Sequence, residues 1–112
     1  MSTQNIKNNQ QLVDICHRLY AKGFVMATDG NVSVRMENGN FLTTRTSVNK
    51  GMVTSDDIVE VDRQGESVGS RYKPSTEIGM HLYIYSQRPD VHAVVHAHPA
   101  YATGFATARQ AL

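Results

Sequence analysis

The sequence holds one cysteine, no tryptophan, three prolines and no excess of charge, its formal net charge being +1 at pH 7. Each shortage excludes something. Cys16 alone cannot form an internal disulfide, so no covalent staple holds the fold, and a reducing cytoplasm is the expected compartment. With 11 basic against 10 acidic residues, there is no sign of the electropositive surface that nucleic acid or an anionic membrane requires. No apolar run approaches the roughly 20 residues that span a bilayer, and the first ten residues lack the apolar core of a signal peptide. Neither nucleic acid nor membrane is expected as a partner. A chain of 112 residues, 40% hydrophobic, supplies one modest core, and a single domain is the default.

What is present centres on residues 91–99. Valines alternate with small alanines until Pro99, which lacks a ladder donor, so the stretch reads as a short buried strand ending in His96-Ala97-His98. Residues two apart on a strand share a face, which sends both imidazoles the same way from Cα atoms about 6.6 Å apart. That spacing lets them converge on one metal ion. Two solvated or core histidines are the plain alternative, and the motif by itself does not choose between them. His92 shares the face of His96 but lies about 13 Å away along the strand, too far to join the same ion.

Ahead of this strand, Leu12, Ile15, Cys16, Leu19 and Tyr20 recur at helical spacing and predict an amphipathic helix over 6–22, capped by Asn8 or Asn9 and stopped by Gly23. Cys16 falls on the apolar side, as a buried inert thiol; His17 falls off it, at the surface. Asn38-Gly39 predicts a hairpin over 31–44, and residues 58–62 a third strand. Loops at 30–31 and 44–47 offer backbone N–H groups, hydroxyls and the Arg45 guanidinium, a set that suits an anion. Plain turn chemistry explains the same residues and is preferred on the sequence alone. Asp56-Asp57 is not read as a catalytic pair, because adjacent loop aspartates commonly bond their own backbone.

Ser75 or Thr76 is expected to cap a helix running to about Gln87, apolar nearly all round and therefore largely buried. Glu77 in its first turn is sufficiently explained as part of a cap. The sharper reading makes it a catalytic carboxylate facing the same cavity as His96 and His98. His81, one turn on, either supports that site from behind or fills a structural place in the helix. Residues 100–112 read as an alanine-rich helix.

Five segments in order, Gly30-Asn31-Val32-Ser33-Val34-Arg35, Asp57-Ile58-Val59, Lys73-Pro74-Ser75-Thr76-Glu77, Met80-His81-Leu82 and Val94-Val95-His96-Ala97-His98-Pro99, together resemble the class II aldolase/adducin family over about residues 11–112. The resemblance implies an α/β fold, a three-layer α/β/α sandwich with a mostly antiparallel central sheet, incomplete at its C-terminus. Residues 1–112 would form the N-terminal portion of one such domain, in a homo-oligomer, usually a tetramer. It implies a Zn2+ cofactor held by His96 and His98, with a third histidine expected beyond Leu112, and Glu77 as the catalytic acid/base. It also implies a substrate phosphate bound by Gly30 and Asn31, Thr46 and Ser47, and Ser75 and Thr76, which lifts the anion reading above turn chemistry.

The reaction implied is zinc-dependent cleavage of a ketose 1-phosphate to dihydroxyacetone phosphate and an aldehyde through an enediolate. A related epimerase, dehydratase or decarboxylase, a non-catalytic adducin-like module, or an inactive fragment are the alternatives. Glu rather than Asp at position 77 is similar to the aldolase branch. Arg45 and Ser47 stand where such aldolases often carry proline and glycine, a departure that leaves room for a carboxylate in place of the phosphate.

Overall fold

The computed structural model describes residues 3–25, 28 and 30–97. Its elements are α1 (Thr3–Ala21), β1 (Asn31–Arg35), β2 (Phe41–Thr44), a 3-10 turn at Ser55–Asp57, β3 (Ile58–Val61), α2 (Ile78–Gln87) and β4 (Ala93–His96). The four strands form one sheet in the order β3-β2-β1-β4, with every pairing antiparallel. The helix expected over 100–112 lies outside the described residues. Among the described residues, no helix is long and apolar enough to cross a membrane.

Leu12 and Cys16, four residues apart, are the fully buried stripe of α1, with Ile15 and Leu19 packed beside them. Burial pushes the Cys16 thiol up to about 11, against the opposing charge of Lys50, so it stays protonated and inert at neutral pH. The helix starts at Thr3, ahead of the expected cap. Asn9 is instead buried within it and donates Nδ2–H to the Ser55 carbonyl at 3.4 Å, a tertiary bond that displaces its capping preference. The C-terminus behaves as read: Gly23, at φ 75°, donates to the Tyr20 carbonyl at 3.1 Å while Phe24 donates to Leu19 at 2.9 Å. That pair of bonds is a Schellman cap.

The hairpin closes at Gly39, φ 89°, with the Asn40 N–H held by Asn38 Oδ1 at 2.9 Å. Alternation along the strands then sorts side chains onto two faces. Val32, Leu42 and Ile58 pack against α1, whereas Phe41, Val59 and Val61 pack against Tyr85 of α2. Phe41 and Tyr85 stack with ring centroids 4.6 Å apart.

Two expectations about burial are corrected. β4 is an edge strand, so Val95 is 49% exposed, and the run regular enough to pair is only Ala93–His96. α2 buries only His81 and Tyr85, while Met80 and Tyr83 are exposed. A helix lying on one face of a sheet buries one stripe, whatever its remaining side chains.

Asp57 secures the turn into β3. Its carboxylate accepts from the Thr54 N–H at 2.9 Å and from Arg45 Nε–H at 2.7 Å. Burial pushes this carboxyl up, but the Arg45 and Thr54 hydrogen bonds outweigh burial and hold it below the ordinary carboxylate range. A depressed folded-state value stabilises above the unfolded value of about 3.9, and that contribution is lost as the pH falls through the folded value. Asp57→Asn is expected to lower stability by about 1 kcal/mol at neutral pH, and urea melts between neutral pH and about pH 3 should show a shallower acid loss in the variant.

Candidate functional site

The β1–β4 register pairs Asn31 with His96, bringing the start of one strand against the end of the other. Two further loops close on this point. The Thr46 N–H donates to the Lys73 carbonyl at 2.9 Å and the Ser75 N–H to the Thr44 carbonyl at 3.1 Å, so the segment before α2 runs beside the one after β2. Together they enclose a cleft of about 360 Å³.

Every described residue expected at the site lines this cleft: Gly30 and Asn31 from the first loop, Thr46 and Ser47 from the second, Ser75, Thr76 and Glu77 from the third, and His96 from β4. His98 lies outside the described residues. Among the described residues, no group of three or more His, Cys, Asp or Glu side chains could hold a metal ion. The expected cap of α2 is displaced: the helix starts at Ile78 with Glu77 in the cap position and no side-chain cap bond. Ser75 Oγ accepts from the Glu77 N–H at 3.2 Å, and Ser75 O from the Ile78 N–H at 3.1 Å, so a turn precedes the helix and Glu77 stands exposed at the cleft.

The polar character of the cleft differs in detail from the sequence reading. The N–H groups of Arg45 and Thr46, expected to face an anion, are taken by the carbonyls of Asp57 and Lys73 at 2.9 Å each. Hydroxyls, the Asn31 carboxamide and two cations, Arg45 and Lys50, line the cleft as well. Lys50, which the sequence reading passed over, lines the cleft and is 2% exposed, donating from Nζ to the carbonyls of Thr28 and Val48 at 3.1 Å each. In the turn-rich run Asn49-Lys50-Gly51, nothing short of the fold separates such a lysine from an ordinary surface one. Arg45 is anchored to Asp57 and lies over the Tyr72 ring, 4.8 Å from its centroid.

His81 is buried directly beneath Asn31. Its Nε2 bonds Asn31 Oδ1 and its Nδ1 lies 2.6 Å from Ser33 Oγ, which is in turn 2.8 Å from the Tyr85 hydroxyl. Burial, helped by the nearby charge of His96, pushes the His81 imidazole down to about 4, so the ring is neutral at pH 7. His81 thus lies beneath a residue of the cleft and also fills a buried place in α2.

Backbone strain collects at the rim. Gly30 sits at φ 75°, and a Cβ there would lie 2.6 Å from the His96 carbonyl oxygen, so only glycine permits this approach of β1 to β4. Ser47 adopts φ 59°, a left-handed conformation that it holds without glycine's freedom. Ser47→Gly should therefore stabilise the chain by about 1 kcal/mol, whereas Gly30→Ala should cost about 2 kcal/mol or more. Chemical-denaturation midpoints check both.

The Class II Aldolase and Adducin N-terminal domain model matches residues 10–112. An L-fuculose phosphate aldolase from Methanococcus vannielii is 38% identical over 96 residues, covering 86% of this chain and 51% of that relative. A methylthioribulose-1-phosphate dehydratase from Citrobacter koseri is 40% identical over 93 residues, covering 83% and 46%. A solved structure of an L-fuculose 1-phosphate aldolase superposes with a TM-score of 0.85 at 31% identity, over 98% of this chain and 51% of that one. The chain thus spans about half the length of the curated relatives it matches. With the matching region taking in almost the whole sequence, this chain belongs to the class II aldolase and adducin N-terminal domain family.

Proposed function

We propose that this chain supplies the anion-binding half of the active site in a lyase acting on a ketose 1-phosphate. The observation that carries the reading is the cleft itself. Asn31, the Thr46 and Ser75 hydroxyls and the Lys50 cation line it, together with His96 and Glu77. A phosphate dianion needs several fixed donors and a compensating charge, which Asn31, Thr46, Ser75 and Lys50 provide. Bound there, the phosphate end fixes where the reacting carbons lie relative to Glu77.

The donor chemistry at the cleft fits zinc. His96 and Glu77 both line it, and imidazole and carboxylate are both groups that zinc accepts. His96 and His98 would hold the ion, with a third histidine supplied from outside these 112 residues. When bound, the ion supplies Lewis acidity to a substrate carbonyl. Glu77, exposed at the helix start and close to solvent exchange, carries the proton to or from the carbon beside the broken bond. In the whole protein, the sheet lies as the middle layer of an α/β/α sandwich, and the subunits assemble as a tetramer.

Cleavage to dihydroxyacetone phosphate and an aldehyde is the leading reaction. Dehydration is the second reading, because relatives named L-fuculose phosphate aldolase and methylthioribulose-1-phosphate dehydratase stand at similar identity, 38% and 40%. The two differ in the bond broken and share the phosphorylated ketose. Zinc-loaded full-length protein given each substrate, with products identified by NMR, should release dihydroxyacetone phosphate; loss of water without carbon–carbon cleavage would establish the dehydratase instead. Glu77→Gln should lower turnover at least about 100-fold with zinc content unchanged, and undiminished turnover would remove Glu77 from the mechanism.

A further inference from the structure

The hydrogen bonds under Asn31 form a chain whose direction is set from its far end. The Tyr85 hydroxyl lies in a residue only 3% exposed and needs an acceptor for its proton, and among the described residues Ser33 Oγ is the one within reach. Tyr85 therefore spends its own proton on Ser33 Oγ, 2.8 Å away, and Ser33 spends its proton on His81 Nδ1, 2.6 Å away. That leaves the imidazole proton on Nε2, where it is donated to Asn31 Oδ1. Run the other way, the chain would present Nδ1–H to Ser33 and the Ser33 proton to Tyr85. Among the described residues, the Tyr85 proton would then have no acceptor.

Each link is held in place by packing. Ser33 is 0% and His81 1% exposed, so water does not compete for either. Tyr85 is clamped against Phe41, with the Arg35 guanidinium 5.0 Å from its ring centroid. The neutrality of His81 agrees with the assignment, since a protonated ring could not accept from Ser33.

The consequence falls on Asn31. A carboxamide with its oxygen tied to His81 has only its NH2 left to turn elsewhere, and Asn31 lines the cleft. We propose that Tyr85, Ser33 and His81 form a one-directional relay that fixes the His81 tautomer and so holds the Asn31 NH2 toward the cleft as a donor to a phosphate oxygen. His81 is thus a positioning residue. A flipped carboxamide would present its oxygen to the anion, which is repulsive. The inference rests on the anion reading of the cleft and adds the device that gives that reading its sign.

NMR on the full-length protein tests it, with inorganic phosphate as the probe. Imidazole 15N spectra should show His81 protonated at Nε2 alone, and phosphate should shift the Asn31 side-chain NH2 resonances. Tyr85→Phe, nearly isosteric, removes the proton that orients Ser33; it should mix the His81 tautomers and weaken phosphate binding about tenfold. His81→Gln, whose amide reaches the Nε2 position, should restore most of the affinity that His81→Leu loses. A merely structural histidine would not show that rescue. No phosphate response in the unmodified protein overturns the anion reading and this proposal with it. Binding with His81 protonated at Nδ1, with a silent Asn31 amide, or undiminished in Tyr85→Phe overturns the relay alone.

Discussion

The antiparallel pairing of β1 with β4 is the constraint on which the candidate site depends. It sets Asn31 across from His96, at the beginning of one strand and the end of another 65 residues later in the chain. The approach is closer than any side chain at position 30 would permit, because a Cβ on Gly30 would collide with the His96 carbonyl oxygen and the Val25 side chain. Glycine there costs conformational entropy in the unfolded chain and relieves strain in the folded one. The groups that would bind an anion and the group that would bind a metal are neighbours because of this one ladder.

The other two walls of the cleft are tied to that point by polar contacts more than by apolar packing. Arg45 joins Asp57 through side chain and backbone, and the 44–46 and 73–75 segments exchange backbone bonds. Both apolar clusters lie away from this rim, one under α1 and one under α2, where they hold the sheet rigid. Loops laced to a rigid sheet can present hydroxyls, a carboxamide and a buried ammonium at fixed positions without burying unsatisfied backbone. That division, apolar packing for the scaffold and hydrogen bonds for the site, is what a cleft for a small charged ligand calls for.

Much of the scaffold was legible in the sequence because local chemistry dictates it. Gly23 and Gly39 both take the left-handed conformations that a helix stop and an Asn-Gly hairpin require. The periodicity of α1 matched the face it buries at Leu12 and Cys16, though Tyr20 is exposed, while the hairpin strands bury both faces, Ser33 and Thr43 included. Where the reading erred, a tertiary effect outvoted the local one. Asn9 left its cap for Ser55, α2 exposed Tyr83 and Met80, and β4 became an edge. Periodicity reports which side chains are apolar, and only the arrangement of layers decides which of them find a cover.

The candidate site divides along the same line. Gly30, Asn31, Thr46, Ser47, Ser75, Thr76, Glu77 and His96 could be named through the family resemblance of the short segments that carry them, whereas local chemistry alone favoured turns and a cap. Lys50 and the Ser33–Tyr85–His81 relay could not, because an ammonium capped by carbonyls from two loops and a hydroxyl pointing at a histidine 48 residues away are products of packing. By itself the sequence determined which groups are present and how each short segment bends. The tertiary structure alone decided which of them meet, because strand register and loop lacing act between residues that the chain keeps far apart.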